Sequence, residues 1–155
     1  MPNLGELLRP NSVIYRVKGV GRKEVLANLA KLAANAFGAD ETLVYENALA
    51  REALGGTGVG DGVAVPHARI KDLEKSCGVF ALLESPVDFE APDGKPADLV
   101  FLLLSPEDSG ADHLKALAKI TRALRQPNLR ASLRAARSSE ALLAVLTAVE
   151  REEVA

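Results

Sequence analysis
Residues 99–104, LVFLLL, form an unbroken apolar run held between Pro96 and Pro106. The run is too short for a typical globular helix, and it is closed at both ends by residues that interrupt regular structure, so it reads as a strand of a central sheet. A strand apolar at every position is buried on both faces, and the rest of the chain must then supply covering layers. With 155 residues, 48% of them hydrophobic and 26% charged, the chain has enough material for one domain spanning residues 1–155 with a sizeable core.

The flanking pattern supplies the layers. Residues 13–17 (VIYRV) are β-rich. From Lys23, Val25, Leu26, Leu29, Ala30, Leu32, Ala33, Ala36 and Phe37 recur at helical spacing, and Gly38 is a natural stop. Asp40 is placed to cap a second helix whose inner stripe is Leu43, Val44, Ala48, Leu49, Ala53 and Leu54, with Arg51 and Glu52 in its last turn. Residues 76–83 (SCGVFALL) read as another buried strand that takes in Cys77, and residues 70–75 as a loop or strand end. A turn-rich stretch with Pro86, Pro92, Asp93, Gly94 and Pro96 follows, with a hairpin-like excursion around Val87 to Phe89. Ser109 and Asp112 make an approximate start signal for a helix with Leu114, Leu117, Ala118, Ile120, Thr121 and Leu124 on its apolar face. Residues 128–136 suggest a short helix after Pro127, and Ser138 or Ser139 a cap for a last one carrying Leu142, Leu143, Val145, Leu146 and Val149. Helices alternating with strands predict an α/β fold, a mixed central sheet with helices packed on its faces.

The chemistry is concentrated in residues 51–67, REALGGTGVGDGVAVPH. Its glycines let the backbone approach a neighbour closely, and Pro66 stiffens the approach to His67, which should project from a corner just past a short strand. The chain has two histidines, and the second, His113, falls in the first turn of the helix after the LVFLLL strand, so both lie near strand ends.

Familiar sites fail on spacing. Asp61-Gly62-Val63 stands where a P-loop needs Gly-Lys-Ser/Thr, and a dinucleotide loop would follow a strand, whereas this one follows a helix. Two distant histidines and one cysteine do not make a zinc site, Cys77 belongs to the core, and Gly-x-Ser-x-Gly is absent. Neither a metal nor another cofactor is expected. A net charge of −2 argues against nucleic acid as a partner, and the lack of a long apolar span or signal peptide argues for a cytoplasmic protein with no direct membrane insertion.

Histidine as a nucleophile toward phosphorus is the chemistry left. A neutral ring is available near pH 7, and glycine-loop amides, the Thr57 hydroxyl and the Arg51 guanidinium are candidate donors for the arriving charge. Plainer roles stay open for both side chains: Thr57 could satisfy the loop backbone, and Arg51 could pair with a helical neighbour.

Arg51-Glu52, Thr57-Gly58-Val59-Gly60 and Gly62-Val63-Ala64-Val65-Pro66-His67 resemble the phosphorylation-site signature of fructose/mannitol-type (EIIA type 2) enzyme IIA domains of the bacterial phosphotransferase system. The resemblance extends through LVFLLLSPEDSGADHLKALAKITRAL, and departs from the commoner pattern at Gly56 and Ala68. It implies His67 as phosphoryl acceptor, with Arg51 stabilising the group and His113 donating a hydrogen bond to it. The phosphoryl-binding loop would be Thr57, Gly58, Val59 and Gly60, whose last three residues would also form an apolar apron for docking. It implies HPr or a nitrogen-branch HPr-like carrier as donor, and a IIB subunit or regulatory target proteins as onward partners. Without an attached IIB or IIC segment, the chain most resembles the nitrogen-regulatory branch. A separate sugar-specific IIA subunit and a non-phosphorylated binding module on the same fold are the alternatives.

Overall fold
The apolar run lies at the centre of the sheet. In the computed structural model of the chain, which describes residues 4–154 and side chains as far as residue 148, it belongs to β6 (Ala97–Pro106). Along one edge β6 pairs antiparallel with β5 (Cys77–Val87), which in turn pairs parallel with β1 (Val13–Val17). Along the other edge it pairs parallel with β3 (Val63–Ala64) and then with β4 (His67–Ile70), while β2 (Gly58–Gly60) lies antiparallel against β3. The sheet is mixed, as expected, with the order β1-β5-β6-β3-β2 and β4 also on β6.

Strand alternation separates two cores. Val79, Ala81, Val100, Leu102, Leu104, Ala68 and Ile70 meet α2 (Arg22–Phe37) and α3 (Glu41–Ala53) through Val25, Leu29, Ala33, Val44 and Ala48. Phe80, Leu82, Leu99, Phe101, Leu103, Val63 and Val65 face α1 (Leu4–Leu7), α4 (Ala111–Leu124), α5 (Pro127–Ala135) and α6 (Ser139–Val154). Gly78 is required on the second of these faces, because a Cβ there would lie 2.5 Å from the Phe101 ring.

Local chemistry sets the end of α2 and the starts of α3 and α6. Gly38 closes α2 at φ 71°, its amide donating to the Ala34 carbonyl, and the Asp40 carboxylate accepts from the Leu43 amide at 3.1 Å to open α3. The Ser138 hydroxyl caps α6 by accepting from the Ala141 amide, and the Ser139 hydroxyl accepts from the Tyr15 amide. Val149, expected on the inner face of α6, lies beyond the described side chains.

Several expectations are corrected. Leu54 is 86% exposed, and Ala53 is exposed too, because the α3 stripe runs Val44, Ala48, Glu52 and the helix ends before it turns these residues inward. Leu114 is 64% exposed, because α4 buries His113, Ala116, Ile120, Ala123 and Leu124 instead. Ser109 does not cap α4; Gly110 precedes the helix at φ 56°, and the Ser109 hydroxyl accepts from Arg69. β5 continues through Pro86 to Val87, opposite Ala97, past a register shift after Leu82, and Phe89 beyond it is buried in the core. The short elements α1, β2 and β4 were not foreseen; β2 and β4 exist because β3 and β6 offer them partners rather than through a pattern of their own.

Candidate functional site
β3 and β4 are two halves of one path along β6. Ala64 pairs with Val100 and His67 with Leu103, so the register is kept across Val65-Pro66, where proline has no N–H to give. The Pro66 carbonyl still accepts from the Leu103 amide at 3.0 Å. His67 is thus the first residue of a strand rather than a corner past one, on an edge that pairs with β6 alone. α3 covers the free edge: Asn47 Nδ2 donates to the Arg69 carbonyl at 3.1 Å.

This placement brings Arg51 and His113 to His67. His67 Nδ1 lies 3.0 Å from the Val65 carbonyl, a partner that can only accept, so the neutral ring carries its hydrogen on Nδ1. Nε2 then holds a lone pair, which accepts from Arg51 Nε–H at 3.1 Å, while Arg51 Nη1 donates to the Gly55 carbonyl at 2.8 Å. The His113 ring stands 5.3 Å from the His67 ring, centroid to centroid, tilted by 57°. A cavity of about 310 Å³ opens beside them, lined by Asn47, Arg51, His67, Ala68, Arg69 and His113.

Both rings are held neutral. Burial lowers His67 below 6.5, the Arg51 and Arg69 charges add to this, and the Val65 carbonyl and Glu52 pull the other way. His113, only 4% exposed, is lowered to about 4 by burial, then by Arg69 and His67. Cys77, buried on β5, has its thiol pushed up to about 12 by burial, which suits a core residue and not a nucleophile.

The glycine segment is not brought into this cavity. Gly58 and Gly60 pair with Ala64 and Val63, so β2 lies about 10 Å or more upstream of His67 along the strand path. Four of its donors are already engaged: the Gly58 amide with the Phe89 carbonyl, the Asp61 amide with Asp93, and the Thr57 amide and hydroxyl with Glu52. The close approach its glycines permit is to protein, since a Cβ at Gly56 would sit 2.2 Å from the Phe89 carbonyl oxygen.

Four residues around the histidines were given no role from sequence. Glu52 is buried, accepts from Thr57 and is met by Arg22 Nη1 at 3.3 Å; it fills the next α3 position after Val44 and Ala48 at helical spacing, a legible signal. Arg69 follows His67 by two along β4 and donates to Ser109 Oγ at 3.0 Å and to the Gly110 carbonyl at 3.3 Å. Ser105 continues the Leu99, Phe101, Leu103 face of β6 and lies 2.7 Å from His113 Nδ1. Asn47 carries no signal beyond its place on α3. Among the described residues no three histidine, cysteine, aspartate or glutamate side chains gather as a metal site would require. No helix of the described residues is long and apolar enough to cross a membrane.

Residues 6–149 match the family described as "Phosphoenolpyruvate-dependent sugar phosphotransferase system, EIIA 2". A nitrogen regulatory protein of Bradyrhizobium diazoefficiens is 49% identical over 141 residues, covering 91% of this chain and 92% of its own. The crystal structure of nitrogen regulatory protein IIA-Ntr from Neisseria meningitidis superposes with a TM-score of 0.85 at 35% identity, over 92% of this chain and 98% of that one. The fold is shared also with the IIA mannitol protein of Escherichia coli, solved in complex with phosphorylated IIB mannitol, with a TM-score of 0.77 at 22% identity over 91% and 97% of the two chains. With the matched region spanning nearly the whole sequence, the chain belongs to the EIIA type 2 family of the phosphoenolpyruvate-dependent sugar phosphotransferase system.

Proposed function
We propose that the protein is a phosphocarrier that accepts a phosphoryl group on Nε2 of His67 from HPr or a nitrogen-branch HPr-like protein, and that it acts in regulation through protein contacts. The observation that carries this is the fixed tautomer: Val65 holds the hydrogen on Nδ1 and leaves the Nε2 lone pair beside Arg51 and His113. In the transfer, that lone pair forms a bond to phosphorus as the bond from phosphorus to the donor's ring nitrogen breaks, its electron pair staying with the donor. The His67 ring gains positive charge, which the Val65 carbonyl offsets through Nδ1–H. Arg51 loses Nε2 as its acceptor and is left beside the phosphoryl oxygens. The likeness to the nitrogen regulatory protein of Bradyrhizobium diazoefficiens over nearly both chains supports the regulatory branch.

Incubation with phosphoenolpyruvate, the general phosphotransferase proteins and each carrier in turn should give one acid-labile label. A His67→Ala protein should take up none. Label retained in that variant would place the acceptor elsewhere, and rapid passage of the label to a sugar-specific IIB protein would favour the transport reading over the regulatory one.

A further inference from the structure
His113 can assist an anion beside His67 in only one of its two neutral forms. A ring nitrogen bearing hydrogen attracts a phosphoryl oxygen, and a bare lone pair repels it. The fold turns His113 Nδ1 toward Ser105 Oγ at 2.7 Å, and Ser105 Oγ lies 3.3 Å from Ser76 Oγ. Ser105 is fully buried on β6, and Ser76 is half-buried immediately before β5. A serine hydroxyl has a single proton to give. With Ser76 donating to Ser105, the Ser105 proton is free to go to His113 Nδ1, and the ring hydrogen then resides on Nε2. Among the described residues no buried side-chain nitrogen or oxygen lacks a partner, so Nε2, which has no protein partner, opens onto the cavity that His113 and His67 both line.

We infer that Ser105, oriented by Ser76, is a positioning residue that holds His113 as the Nε2–H tautomer, so that the ring presents a donor to the cavity beside His67. The pair does for His113 what the Val65 carbonyl does for His67, with opposite result: one ring offers a lone pair, the other a hydrogen. The inference takes its purpose from the phosphocarrier reading and rests on it there, while the placement of the proton can be read in the unphosphorylated protein.

Nitrogen-15 spectra of the His113 ring in the whole protein report the tautomer. The expected result is a dominant Nε2–H form in the wild type and a mixture in Ser105→Ala. Ser76→Ala should also give a mixture, because Ser105 keeps its place and loses the donor that directs it. Ser105→Ala should in addition slow phosphoryl passage through His67 by roughly ten- to a hundred-fold while its amide spectrum stays native. A wild-type ring protonated on Nδ1, or an unchanged tautomer ratio in Ser105→Ala, would overturn the inference. If instead His67 accepts no phosphoryl group from any carrier, the phosphocarrier reading falls and the ring spectra still decide where the proton lies.

Discussion

His67 and His113 are two imidazoles 5.3 Å apart, both kept neutral by burial and by the positive charge of Arg69. Their shared shift has a consequence for stability. In the unfolded chain a histidine titrates near 6.5, whereas His113 in the folded protein is lowered to about 4. Between those values the unfolded state binds more protons, so stability falls as pH is lowered through the window and is fully present above 6.5. Urea midpoints measured from pH 7 down to 4 should therefore drop more steeply in the wild type than in His113→Gln, from which this group is removed. Parallel profiles would mean that His113 titrates alike in both states.

Among the elements, α3 brings to the β4 histidine the side chains that cover and contact it. It begins at the Asp40 cap, lays Val44 and Ala48 on the sheet, buries Glu52, and supplies Asn47 to the free edge of β4 and Arg51 to His67. Asp40→Ala should cost about 1 kcal/mol of stability, seen as a lower urea midpoint at unchanged slope, because one helix-end amide loses its acceptor. Labelling of His67 should persist in that variant, since the packing of the helix is intact. α2 and α3 were legible in the sequence because their spacing, caps and stops are local properties of the chain. β4 was not: a four-residue segment has no period to detect, and its pairing is supplied by β6, more than thirty residues downstream. With β4 missed, the placement of Arg69 beside His67 was missed too.

For the whole molecule, the question is how a protein partner reaches the histidines. Gly58, Val59 and Gly60, expected as the docking apron, are half-buried in β2, whereas Leu54, three residues past Arg51 in the chain, and Leu114, which follows His113, are large exposed apolar side chains. Apolar groups around a small polar centre are what a protein partner covers. Leu54→Glu and Leu114→Glu should each raise the half-saturating concentration of the phosphorylated carrier about ten-fold, by lost burial and by repulsion of the incoming charge, with stability changed by less than about 0.5 kcal/mol. Wild-type loading kinetics in both variants would move the docking surface away from the two helix ends.

The strands carrying VIYRV, SCGVFALL and LVFLLL, the long helices, the Gly38 and Asp40 signals that bound two of them, and the mixed sheet were legible in the sequence, because apolar period and capping residues are written in neighbouring positions, and there a Pro-His pair marks His67 as the candidate acceptor. Packing decided which of the expected side chains, and which further ones, gather near that histidine. Thr57 turns to Glu52 and the glycine segment packs on residues 89–91, while Arg69, Ser105 and His113 converge from β4, β6 and α4. Strand register and helix phase set those meetings, and both are fixed by partners far along the chain rather than by the residues that meet.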